Sequence, residues 1–336
     1  MATNSTNLVY LRPPSTQADI IILFIYFLNI LVGLPGNLLA LRFFLTQPPD
    51  IPTLLYRLTS ITDISILLFT LPTCVSLLYG RKSMIFANQG LCNFLGMFQT
   101  VLPAFSVAIV TVLCITRTVQ LFLLVRKPNK LAIFAVLVLY LAYLIISEAV
   151  PVMSGTFQFI YTKQEIYCWD IPGSQGNGAR TAAYIEIAMD WISFSIPVIP
   201  IITCCIISST KILLSKKICA SDTMLKDLKS RATITILVFT AAYIVFNIPI
   251  FVIQLLRVLL FVHDESYPGR YFSNYFMYQY GWNIAKMLLP AMNAAVNPII
   301  YFCRMLRFRV WILRFHARAV VLENTKTDNR ITESPL

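Results

Sequence analysis

The chain has 336 residues, of which 57% are hydrophobic and only 12% charged, and it carries a formal net charge of +12. A soluble domain has about twice that charged fraction, so the composition excludes an ordinary soluble protein and marks a membrane protein. The positive balance does not indicate nucleic acid, because the basic residues are spread between apolar spans and not gathered on one polar domain.

Eight cysteines, most of them inside apolar runs, are too few for a secreted disulfide framework; no internal repeat or low-complexity tract stands out, and no signal peptide is expected before the first span. In chain order, the polar residues 1–19 carry Asn4-Ser5-Thr6, an acceptor for N-linked glycan that is used only if this end lies outside. A first span is predicted over 20–45, with Asn37 in its apolar run and therefore turned toward other helices. Pro48, Pro49 and Pro52 then stop the helix, and a second span over 54–79 places Asp63 near its middle, where a carboxylate needs a partner. The third span, 92–123, holds Cys92 and Arg117 twenty-five steps apart. At about 1.5 Å per residue that is about 37 Å, more than a hydrocarbon core of about 30 Å. If Cys92 faces an oxidising compartment, Arg117 sits at the cytosolic surface.

A basic break at 126–130 leads to a fourth span over 131–153, and the longest loop follows at 154–180 with the lone Cys168. A fifth span covers 181–214 with Pro197 and Pro200. After a polar loop at 215–229 come a sixth span over 230–262 with Pro249 and a seventh over 274–302 with Asn297-Pro298. Of the 27 Lys and Arg, 19 fall on the side assigned to the cytosol, as the positive-inside rule requires. Residues 304–318 interleave five arginines with Phe308, Trp311, Ile312 and Phe315 at helical spacing, which reads as an amphipathic helix on the lipids of the inner leaflet. The tail, 319–336, is polar and offers Thr325, Thr327, Thr332 and Ser334 for phosphorylation.

The order and spacing of Gly36-Asn37, Asp63, Cys92, Arg117, Cys168, Pro197 or Pro200, Pro249 and Asn297-Pro298-Ile299-Ile300-Tyr301 resemble the rhodopsin-like family of seven-helix G-protein-coupled receptors over about 20–315. The resemblance implies an all-α membrane protein: an extracellular N-terminus (1–19), a seven-helix domain (20–303), a juxtamembrane helix (304–318) and a cytoplasmic tail (319–336) in the plasma membrane. It implies a disulfide between Cys92 and Cys168. A sodium ion held by Asp63, Ser106, Asn293 and Asn297 is implied as the alternative to a hydrogen-bonded cluster without an ion. It also implies activation through Arg117, Tyr243, Asn247, Pro249, Asn297, Pro298 and Tyr301, with a heterotrimeric G protein, arrestin and a receptor kinase as partners.

Departures mark a divergent member. Thr116 and Thr118 flank Arg117 where the family usually has an acid and an aromatic, Lys229 stands near the foot of the sixth helix, and Phe246-Asn247-Ile248-Pro249 lacks the usual tryptophan. Gln99 replaces the aspartate of amine receptors and Ala291 the lysine of light-sensing relatives, which argues against an amine or retinal ligand. The expected lining, Gln99, Glu186, Asp190, Gln254, Arg257, Trp282, Asn283 and Lys286, suits a peptide. Two alternatives stay open at this point, a chemosensory receptor for small water-borne molecules and a seven-helix transporter or channel. An enzyme is not indicated, because neither His263 nor His316 belongs to a nucleophile-base or metal-ligand set.

Overall fold

The computed structural model describes residues 16–78, 89–122, 129–153, 159–161, 166–168, 188, 191–218, 223–263 and 268–314, with side chains outside the description near several helix ends, including all of 211–233 and 261–284. Seven long helices form a bundle: α1 (Thr16–Thr46), α2 (Ile51–Leu78), α3 (Gln89–Phe122), α4 (Lys130–Met153), α5 (Val198–Ile218), α6 (Thr223–His263) and α7 (Pro268–Arg304). A short α8 follows at 306–314.

Among the described residues, five helices are long and apolar enough to cross a membrane, and α6 adds the apolar stretch Leu237–Ile253. Burial ranks them. In α3, 61% of the apolar window is buried, against 17% in α1 and in α4, so α3 is the central helix and the others ring it. It touches α2, α4, α5, α6 and α7. The outer helices expose rows such as Ile20, Phe24, Phe27 and Leu31, spaced three to four apart on one face, which is the pattern of a lipid-facing stripe.

The helices begin where the chemistry permits. Asp50 accepts a hydrogen bond from the Thr53 N–H at 2.8 Å and so caps α2. Pro52 thus lies in the first turn, where its missing N–H costs nothing, and only Pro48 and Pro49 occupy the break. Asn129 caps α4 likewise, through the Leu131 N–H at 3.0 Å. Two helices run past their expected ends, because α6 starts at Thr223 inside the polar stretch read as loop, and α7 starts at Pro268. Hydropathy reports where lipid ends and not where hydrogen bonding does.

The fifth span is not one regular helix. Trp191–Ser195 forms a π-turn, closed by the Ile196 N–H on the Trp191 carbonyl at 3.1 Å, before α5 begins. Residues 181–187 of that expected span lie outside the described set. A small hairpin in the long loop adds to the helical plan: β1 (Phe159–Tyr161) pairs antiparallel with β2 (Ile166–Cys168), Phe159 opposite Cys168. Strand β2 lies against α3.

Candidate functional site

A proline has no N–H for the carbonyl four residues before it, and two such carbonyls are met from neighbouring helices. Pro298 carries no N–H for the Ala294 carbonyl four residues before it; Asn37 of α1 donates there at 2.8 Å, and to the Gly33 carbonyl at 2.9 Å. Pro197 likewise leaves the Ser193 carbonyl, and the Tyr140 hydroxyl of α4 donates to it at 3.2 Å. The amide in α1 therefore has a definite task, which is to hold α7 at its break.

Beside it, Asn297 donates to one oxygen of Asp63 at 2.7 Å, so α2 and α7 are joined through a fully buried carboxylate. The other Asp63 oxygen and the Ser106 hydroxyl are buried without a hydrogen-bond partner, as is the Ser60 hydroxyl one turn before Asp63, and Asn293 is buried. Unpaired oxygens of a carboxylate and hydroxyls, sealed from solvent, fit a hard cation such as sodium. Ser60 was not expected from the sequence; its spacing of three from Asp63 was the available signal.

At the opposite end of α3 from Gln99, Arg117 is half-buried. One terminal nitrogen reaches Gln120 Oε1 at 3.4 Å, and its Nε is sealed without a partner. Neutral side chains fix α3 to its neighbours here. The Thr118 and Ser208 hydroxyls stand 3.1 Å apart, joining α3 to α5, and the Cys114 sulfur stands 3.2 Å from the Thr240 hydroxyl, joining α3 to α6. These groups, with Arg117, Cys204, Cys205 and Leu237, line a small recess between the three helices.

Tyr301 is fully buried in an aromatic cluster. Its ring meets Phe44 edge-on at 5.3 Å and Tyr56 at 5.7 Å, and stacks on Phe239 of α6 at 6.0 Å. Phe308 of α8 seats against Phe43 at 5.2 Å, so the expected apolar face of the short helix docks on the bundle through Phe308, with Trp311 beside it. Arg307, Arg309 and Arg314 stay exposed; Phe315 lies outside the described residues. Phe44, Tyr56, Phe239 and Gln120 were not singled out by sequence, because each looks like an ordinary span residue until the helices are placed.

Tyr243 is buried, its backbone carbonyl accepting from Asn247 at 2.8 Å, and Pro249 is exposed on α6. At the other end, Gln99 donates to the Phe69 carbonyl at 3.3 Å and lines a small recess with Phe69, Phe98, Pro103, Met287 and Pro290. Gln254, Arg257, Trp282, Asn283 and Lys286 lie on described helices with their side chains outside the description, as does Cys92; Asn4, Glu186 and Asp190 fall outside the described residues, and of Cys168 only the strand position is described.

Residues 36–301 match the family described as 7 transmembrane receptor (rhodopsin family). The chain belongs to that family. The receptor is therefore a multi-pass membrane protein that works with a G protein and is not an enzyme. No curated protein matches the receptor.

Proposed function

We propose that the receptor sits in the plasma membrane with its N-terminus outside, binds an extracellular peptide at the Gln99 end, and opens its Arg117 end to a heterotrimeric G protein. One observation carries the reading: the buried chain of polar contacts through Asn37, Asp63 and Asn297 lies between those ends and ties α7 to α1 and α2. A shift of α7 about Pro298 then moves Tyr301, which packs on α6.

A peptide agrees with the neutral Gln99 on α3 and with the dispersed polar groups Glu186, Asp190, Gln254, Arg257, Trp282, Asn283 and Lys286. A bridge between Cys92 and Cys168 is consistent with β2 lying against α3. Sodium, held by Asp63, Ser106, Asn293 and Asn297, is an allosteric modulator in this reading; Asn4 carries a glycan, and the phosphorylated tail engages arrestin after a receptor kinase acts. The small aromatic recess beside Gln99 favours the second reading, a receptor for small water-borne molecules.

The deciding experiment is a peptide panel and an odorant panel applied to expressing cells, with dissociation reporters for every class of Gα subunit. Peptide hits are expected; hits confined to small molecules would overturn the peptide assignment.

A further inference from the structure

We propose that Trp191, at the start of the π-turn, is the positioning residue through which a change in the fifth span reaches α6. This rests on the reading that the receptor opens its Arg117 end, here by a swing of α6. The indole meets the Phe251 ring of α6 edge-on, with centroids 5.2 Å apart and planes at 68°. Phe251 lies two residues past Pro249, where a missing backbone bond lets the helix bend. The indole Nε1 is sealed from solvent without a hydrogen-bond partner, so ring packing and no polar bond places it. Helix α6 has no tryptophan of its own. Asn247, two residues before Pro249, donates back to the Tyr243 carbonyl of the same helix at 2.8 Å.

The turn behind Trp191 is anchored on one side only. Tyr140 of α4 donates to the Ser193 carbonyl at 3.2 Å, and Thr111 of α3 donates to the Pro197 carbonyl at 3.3 Å. Toward α6, by contrast, the described contact is the ring pair. A π-turn holds one residue more than a regular helical turn, so passing between the two rotates what precedes it by about 100°. Trp191 is the first residue of the turn and moves with that rotation. Residues 186 and 190, which the sequence offers to a ligand, come just before it. Phe251 is 37% exposed, so the two rings can part without opening a packed core. The pair is seen while Cys114 and Thr240, 3.2 Å apart, hold α6 to α3, and it therefore belongs to the shut inner face. Losing an aromatic pair of this kind shifts a two-state equilibrium by roughly two- to tenfold.

Genetically encoded spin labels at Leu131 and Val238, exposed residues of α4 and α6, decide the link in purified receptor without ligand or G protein. Trp191→Ala should populate longer separations than wild type, and Trp191→Phe, which keeps a ring against Phe251, should restore the wild-type distribution. Phe251→Leu breaks the same pair from α6 and replaces Trp191→Ala if that variant fails to fold. The double variant should move the labels no further than either single one. Unchanged distances in Trp191→Ala or Phe251→Leu, or shifts that simply add, would overturn the proposal. Ligand-free G-protein activation, at matched surface expression, should rise about two- to tenfold in the same variants. Longer distances with unchanged activation would keep the link from Trp191 to α6 and sink the reading that a swing of α6 opens the receptor.

Discussion

Asn37 does by side chain what Pro298 prevents by backbone. Because its amide nitrogen satisfies both Ala294 and Gly33 carbonyls, Asn37→Leu strands a buried acceptor in a medium without water. The cost of such a group is about 1–3 kcal/mol, and a melting curve of the purified receptor should fall by several degrees. Tyr140→Phe removes the analogous donor at Pro197 over a longer 3.2 Å contact and should cost less, about 1 kcal/mol. Equal losses would mean that proline-freed carbonyls are not the governing feature. Asp63 poses a different question, since one of its oxygens is bonded to Asn297 and the other is bare. If sodium fills that gap, exchanging potassium for sodium should raise the melting temperature, by about 1.4 kcal/mol of stability at ten times the dissociation constant. Asp63→Asn should abolish the difference between the two salts; an unchanged difference would place the sodium effect elsewhere.

Helix α1 can approach α7 only because two of its residues lack side chains. A Cβ on Gly36 would lie 2.6 Å from Pro298 Cβ and 2.9 Å from its Cγ, and a Cβ on Gly33 would lie 2.8 Å from Leu67 Cδ1 and 3.0 Å from the Ala295 backbone. The proline ring cannot turn aside as a flexible chain would. Gly36→Val should therefore push α1 from α7 and cost about 1–3 kcal/mol from overpacking, with the Asn37 bond strained in the same move. Pairing it with Asn37→Leu tests this, because the two losses should add to less than their sum if one displacement causes both. Much of this element scale was legible beforehand, since apolar runs between prolines and charges gave all seven spans. Their ends were less legible. Residues 223–229 of α6 are polar yet helical, since Lys, Leu and Met are good helix formers and backbone bonding needs no lipid. The π-turn at Trp191–Ser195 has no signal in hydropathy; it ends just before Pro197, whose carbonyl accepts from Thr111 of α3 at 3.3 Å.

The candidate site was legible only as far as single residues can be. Asp63 and Asn297 stood out as polar groups in apolar spans and do meet, whereas the Tyr56, Phe44, Tyr301 and Phe239 cluster depends on the register of four helices, which one sequence does not reveal. Direction across the membrane is the opposite case, because it is expected from charges summed over the molecule and from no packing contact. Nineteen of 27 Lys and Arg lie on the Arg117 side of the spans. Insertion keeps such loops on the cytosolic face, where anionic headgroups also attract them. Two of those cations are anchored in the break between α1 and α2. Arg57 donates to the Phe44 and Gln47 carbonyls at 3.0 and 2.9 Å, and Lys130 donates to the Pro49 carbonyl, so two charges counted in that balance also tie off helix ends. An antibody tag before Asn4 should accordingly stain intact cells, while a tag after Leu336 should stain only permeabilised ones. Asn4→Gln should remove one glycosidase-sensitive band shift. Staining of the C-terminal tag on intact cells would reverse the bundle and put Gln99, not Arg117, at the face that meets the G protein.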